Sequence, residues 1–120
     1  MSYWTPHFNS EEFECRCGCG RADMDMQFVE WLEQVRVRAG IPFFITSGFR
    51  CPSHNAAVGG VPNSAHMRGT AVDIRVNGGG QRHSIVKAAM SYDAYGVGVA
   101  GGFIHLDRDL VVPRPMLWSY

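Results

Sequence analysis

The chain has 120 residues, 46% of them hydrophobic, with 11 basic against 11 acidic side chains and a formal net charge of zero. That length and apolar content fit one domain with a real core, while the balanced charge gives no electrostatic footprint for nucleic acid or an anionic membrane surface. No apolar run approaches a bilayer span, and Met1-Ser2-Tyr3-Trp4-Thr5-Pro6 lacks the basic start and apolar core of a secretory signal, so the expectation is synthesis in the cytoplasm with any export by another route.

Trp4 to Phe8 reads as an aromatic arm leading into Asn9-Ser10-Glu11-Glu12-Phe13, where Asn9 or Ser10 can cap a brief helix with acids in its first turn. Cys15, Cys17 and Cys19 then alternate with Arg16 and Gly18 in a knuckle, and Cys51 is the fourth cysteine. Three readings of these thiols stay open. A structural zinc would use them, although its usual pairs are spaced Cys-x2-4-Cys. A disulfide from Cys51 to one of the other three would close a loop of about 33 to 37 residues, contribute roughly 3 to 4 kcal/mol in the chain-entropy model and need an oxidising destination. Reduced, buried thiols are the third reading. A catalytic thiol is the poorest fit, because nothing places a base beside it.

Asp23 to Ala39 carries the strongest helical period, with Met26, Val29, Leu32 and Val35 or Arg36 recurring at three- and four-residue steps. Asp23 or Asp25 can cap it, Gly40 and Pro42 end it, and Phe28 and Trp31 widen the apolar stripe as core. Phe43 to Ser47 is predicted as a short buried strand, after which Gly48 turns the chain and Arg50 emerges. Ser53 to Val58 reads as a short helix capped by Ser53, and Gly59 to Asn63 as a loop. Thr70 to Val76 is a β-branched, alternating strand with Ala71, Asp73 and Arg75 on one face and Val72, Ile74 and Val76 on the other.

Asn77 to Gly80 is a flexible turn without the ending of a phosphate loop. Arg82 to Tyr92 is the second helix, with Ile85, Val86, Ala89 and Met90 inward. Tyr95 to Val99 and Phe103 to Asp107 form an antiparallel pair, and Met116 to Tyr120 adds an edge strand. The predicted fold is α+β, one domain over residues 1–120, with helices packed on one face of a small, mainly antiparallel sheet whose other face holds the site.

The chemistry concentrates between Asn63 and Asp73. His66 sits on a turn seven residues ahead of Asp73, and Gly69 and Ala71 leave room for an ion and a substrate backbone. A catalytic zinc takes three protein ligands from His, Asp or Glu and leaves a fourth position for water. The third candidate is His105, on a strand that can return beside the one carrying Asp73. His66, Asp73 and His105 are therefore the candidate metal ligands, and Zn2+ is the expected cofactor.

Ser47-Gly48-Phe49-Arg50, then Ser64-x-His66-x-x-Gly69-x-Ala71-x-Asp73, then His105, resembles the zinc D-Ala-D-Ala carboxypeptidase family from about Pro6 to Asp109. That family includes peptidoglycan-cleaving phage endolysins and vancomycin-resistance dipeptidases, and its fold is similar to the amino-terminal domain of hedgehog proteins. The resemblance implies a zinc peptidase with Arg50 beside the scissile bond, where its permanent charge stabilises an oxyanion or grips a substrate carboxylate. Ser64 is read either as a hydrogen-bonding partner of the substrate or as a turn residue. His54, His7 and His83 match no ligand position and are read as surface or packing residues.

The general base departs from the pattern. Many relatives carry Glu or Asp three residues before the last metal His, or His two before it, whereas Gly102 and Phe103 stand there in this chain. Asp107, two residues after His105 and on the same strand face, is the candidate for general base or for the partner that orients His105. The implied substrates are peptidoglycan stem or cross-link peptides, cut by a monomer that is phage or prophage encoded and reaches the wall by holin-type release or within a particle. The alternative is a zinc-stabilised wall-binding or virion structural module without catalysis.

Overall fold

The structure, a computed structural model, describes residues 3–120. Met1 and Ser2, part of the opening read for a signal, lie outside the described residues. The aromatic arm forms a two-stranded antiparallel ribbon of β1 (Tyr3–Thr5) and β2 (Phe8–Asn9). Asn9 then caps a 3₁₀ turn over Ser10–Phe13 in a reciprocal box, its side chain accepting from Glu12 N while Glu12 accepts from Asn9 N. Trp4 stacks on Phe13 at 5.6 Å between ring centres, so the arm is packed against the body.

Helix α1 (Met26–Ala39) begins later than its period predicts, because Asp25 rather than Asp23 is the cap and accepts from Phe28 N at 3.1 Å. Gly40 ends it in the left-handed conformation at φ 71°. Val29, Leu32 and Val35 are buried, and Phe28 and Trp31 are core residues as expected, whereas Met26 at the frayed start is exposed. Strand β3 (Ile45–Ser47) is shorter than predicted and only partly covered, since it is an edge strand. Helix α2 (Pro52–Ala57) is capped by Cys51 with Pro52 in its first turn, not by Ser53.

The sheet continues with β4 (Ala71–Arg75), β5 (Gly96–Val99), β6 (Phe103–Asp107) and β7 (Met116–Ser119), in the order β3-β4-β6-β5-β7. Every pairing is antiparallel except β5 with β7. Helix α3 (Gly79–Ser91) starts inside the predicted glycine turn, where first-turn amides need no helical partner, and Gln81 accepts from Asn77 N at 2.9 Å to close its start. Its inward residues are Ile85, Ala88 and Ala89, and Met90 points to solvent.

Val72, Ile74, Val97, Ile104 and Leu106 form one core with the buried faces of α1 and α3. Because strand side chains alternate, the same register turns Asp73, His105 and Asp107 to the opposite face. This is the α+β arrangement expected from the sequence. Among the described residues no helix is long and apolar enough to cross a membrane.

Candidate metal centre

Asp73 and His105 are direct cross-strand partners on β4 and β6. His66 reaches them from a 3₁₀ turn, Ala65–Arg68, that Ser64 caps by accepting from His66 N at 3.2 Å. Gly69 ends this turn at φ 69°, and it has to be glycine for a second reason: a Cβ there would strike the backbone of Asp23 to Asp25. The turn is fastened further by Arg68, which binds Asp109 through two nitrogens at 2.8 and 2.7 Å.

Hydrogen bonds orient both rings. His66 Nδ1 donates to the Gly48 carbonyl at 2.8 Å, and its Nε2 lies 3.3 Å from Asp73 Oδ1. His105 Nε2 donates to Asp107 Oδ2 at 2.7 Å, and its Nδ1 lies 3.0 Å from the same Asp73 oxygen. Three candidate ligand atoms therefore converge, all within 4.8 Å of one another. Such a set repels itself unless a cation or a proton lies inside it.

Charge balance points the same way. Burial alone would raise Asp73, yet hydrogen bonds with His105 and His66 hold its carboxyl well below the usual carboxylate range. Burial alone would lower His105, yet Asp107 and Asp73 hold it above its ordinary value. Both shifts arise from the carboxylates and imidazoles lying against one another. Zinc fits the donor set: bonds of about 2.0–2.1 Å on a tetrahedron separate ligand atoms by about 3.3 Å, close to the 3.0 and 3.3 Å found here.

Arg50 is fixed beside this centre. Its Nε donates to Ser47 Oγ and its Nη1 to Asn55 Oδ1, both at 3.2 Å, and its Nη2 lies 3.5 Å from Asp73 Oδ2. Buried Asn55 is itself held by donating to the Val61 carbonyl at 2.9 Å. Ser64 is buried and lines the same cleft, so its capping role and its place near a ligand coexist.

Asp107 has no exposed surface. Besides His105 it accepts two hydrogen bonds from Arg114, at 2.9 and 2.7 Å, and one from Asp109 N at 3.3 Å. Burial pushes its carboxyl up, but His105 and Arg114 outweigh this and bring it to about 2. It stands behind His105 and does not line the cleft. Asp73 is the one carboxylate among the described residues that does.

The cleft has a volume of about 570 Å³, and its lining includes Val58, Val61, Phe103, Met116, Trp118 and Tyr120. Trp118 lies across Gly98 against His105, with ring centres 5.1 Å apart. Sequence reasoning missed Arg114, Trp118, Tyr120, Asn55 and the Gly48 carbonyl. One signal was available, because Gly96-Val97-Gly98-Val99 alternates glycine with core residues, and glycines repeating on one strand face mark a close approach. The other histidines stay outside the centre. His7 bonds Glu33, His83 is exposed, and His54 N donates to Cys51.

Two imidazoles and a carboxylate, open on one side to a cleft, form a donor set that could hold a metal ion. The chain belongs to the peptidase M15 family, whose sequence model, described as Peptidase M15, matches residues 6–107. Peptidases of this family are zinc-dependent hydrolases, and the His66, Asp73 and His105 cluster falls within the matched residues. No curated protein matches the chain.

Proposed function

We propose that the chain is a single zinc peptidase domain, acting as a monomer on peptide bonds of bacterial peptidoglycan. The substrates are stem or cross-link peptides, cut in the manner of a D-Ala-D-Ala carboxypeptidase or an endolysin-type endopeptidase. A phage or prophage product, delivered by holin-type release or within a particle, fits this role. The observation that carries the reading is the convergence of His66, Asp73 and His105 at a cleft that also receives the end of Arg50. The apolar and aromatic walls leave space for a peptide backbone, with the polar groups gathered near the donor set.

His66, Asp73 and His105 would hold the zinc ion, which when bound would supply Lewis acidity and lower the pKa of water to near neutral pH. Arg50, with Nε and Nη1 already committed to Ser47 and Asn55, offers Nη2 to a developing oxyanion or a substrate carboxylate. Ser64 Oγ accepts from His66 N and keeps its own hydrogen for a substrate carbonyl. Asp107 acts as the orienting partner of His105, keeping the Nδ1 lone pair directed at the ligand set; buried and fully bonded, it cannot take a proton from a cleft water.

The test is digestion of purified wall fragments by zinc-loaded protein, with products identified by mass. Arg50→Ala should lower turnover by about 10²- to 10³-fold, the scale of a lost oxyanion donor, with zinc content unchanged. Zinc-loaded protein that binds wall fragments but releases no peptide product would transfer the reading to a binding module.

A further inference from the structure

The remaining unexplained chemistry is the group of four cysteines, which lies outside the His66, Asp73 and His105 donor set. All four are free, and their sulfurs lie within 4.8 Å of one another. Cys17 and Cys51 sulfurs are 3.7 Å apart. A disulfide bond is about 2 Å long, whereas zinc–sulfur bonds of about 2.3 Å place tetrahedral sulfurs about 3.8 Å apart. Disulfides would draw the sulfurs into pairs. Four that are all mutually close are arranged as the corners of one coordination sphere.

The backbone supports the same conclusion. Cys51 N donates to Cys15 Sγ at 3.3 Å, and His54 N donates to Cys51 Sγ at 3.4 Å. Amide donors favour the thiolate, which is the form that ligates metal. The Arg21 guanidinium lies over the Phe49 ring, which packs with Cys15 and Cys51.

The short Cys-x-Cys-x-Cys spacing works because the knuckle is a turn and not a strand. Gly18 and Gly20 take φ of 86° and 81°, and Gly18 N donates to the Cys15 carbonyl at 3.2 Å, so the chain folds back between its own sulfurs. Two further residues of spacing are then unnecessary.

We propose that Cys15, Cys17, Cys19 and Cys51 bind a second zinc ion in a closed structural site, distinct from the catalytic centre. A four-thiolate set leaves no open position for substrate. The surrounding contacts show what such an ion would hold in place. Cys51 follows Arg50, Phe49 N donates to the Phe13 carbonyl at 3.0 Å, Arg50 N donates to the His66 carbonyl at 3.2 Å, and Gly48 holds the His66 ring. The ion thus clamps the amino-terminal knuckle to the turn that presents Arg50 and orients His66.

Metal analysis of purified full-length chain should give two zinc ions per molecule. His66→Ala should retain one and Cys19→Ser, at an exposed ligand, should also retain one. Cobalt substitution should give the thiolate-to-metal charge-transfer band in wild type and in His66→Ala, and lose it in Cys19→Ser. Thiol titration of chelated, denatured wild-type protein should find four free thiols. A single zinc that His66→Ala removes entirely, or no thiolate–cobalt band in wild type, or fewer than four thiols on titration, would each overturn the second site. None of these readouts depends on peptidase activity, so failure of the functional reading leaves them intact.

Discussion

His105 uses both ring nitrogens, one toward Asp73 and one toward Asp107, and the division of labour between those carboxylates decides how the site works. Arg114 and Asp109 N saturate Asp107 from behind, which makes it a fixed support for the imidazole. Asp107→Asn should therefore weaken zinc binding by roughly 10- to 100-fold, the usual loss for an outer partner of a metal-ligating histidine. At saturating zinc, its turnover should fall by less than the roughly 10²- to 10⁴-fold that removal of a general base produces. Chelator competition and initial rates on wall peptides measure the two effects; full zinc affinity with a roughly 10³-fold slower turnover would restore Asp107 as the base. The convergence of His66, Asp73 and His105 was legible in the sequence because strand alternation puts Asp73 and His105 on one face and the motif resemblance joins them to His66. Arg114 was not, because it meets Asp107 only through the course of the carboxy-terminal segment, which no periodicity fixes.

The elements were legible wherever one face had to be apolar. Strands β4 and β6 and helix α1 declare their buried faces in sequence, while the ends of α1, α2 and α3 were set by caps that compete locally: Asp25 over Asp23, Cys51 over Ser53, and Gln81 closing a start made of glycine. Strand β5, predicted over Tyr95 to Val99 and found over Gly96–Val99, is tightly constrained by what packs over its glycines. A Cβ on Gly96 would strike the Asp107 carboxylate and Arg114, and one on Gly98 would lie 2.6 Å from Trp118 Nε1. Overpacking of this kind costs about 1 to 3 kcal/mol. Gly96→Ala should lower zinc affinity by displacing Asp107 from His105. Gly98→Ala should displace Trp118 and raise KM for wall peptides while leaving zinc bound. Gly101→Ala, with nothing within 4 Å of its Cβ, is the control. Equal zinc affinity in all three variants would refute the role assigned to β5.

At the scale of the molecule, one sheet separates stability from chemistry. Its covered face joins α1 and α3 in the core through Val72, Ile74, Ile104 and Leu106, and its open face carries the candidate metal donors Asp73 and His105. Leu106 follows His105 directly on β6, is fully buried, and faces the helices. Leu106→Ala should then cost about 2 to 5 kcal/mol through lost burial and a residual cavity. At roughly 4 °C per kcal/mol for a domain of this size, the melting temperature of the zinc-loaded protein should fall by about 8 to 20 °C, while the molecules that remain folded keep their zinc and their turnover. His105→Ala should do the reverse, losing the catalytic zinc and all cleavage while far-ultraviolet circular dichroism stays that of the folded chain. Zinc saturation at about 1,000 times the dissociation constant stabilises a fold by roughly 4 kcal/mol, so His105→Ala should also lose the part of the melting temperature that depends on the catalytic ion. Thermal scans with metal analysis on the two variants separate the faces. Loss of helix signal in His105→Ala, or retention of its full zinc, would mean that the open face carries the fold as well as the site, and the division would fail.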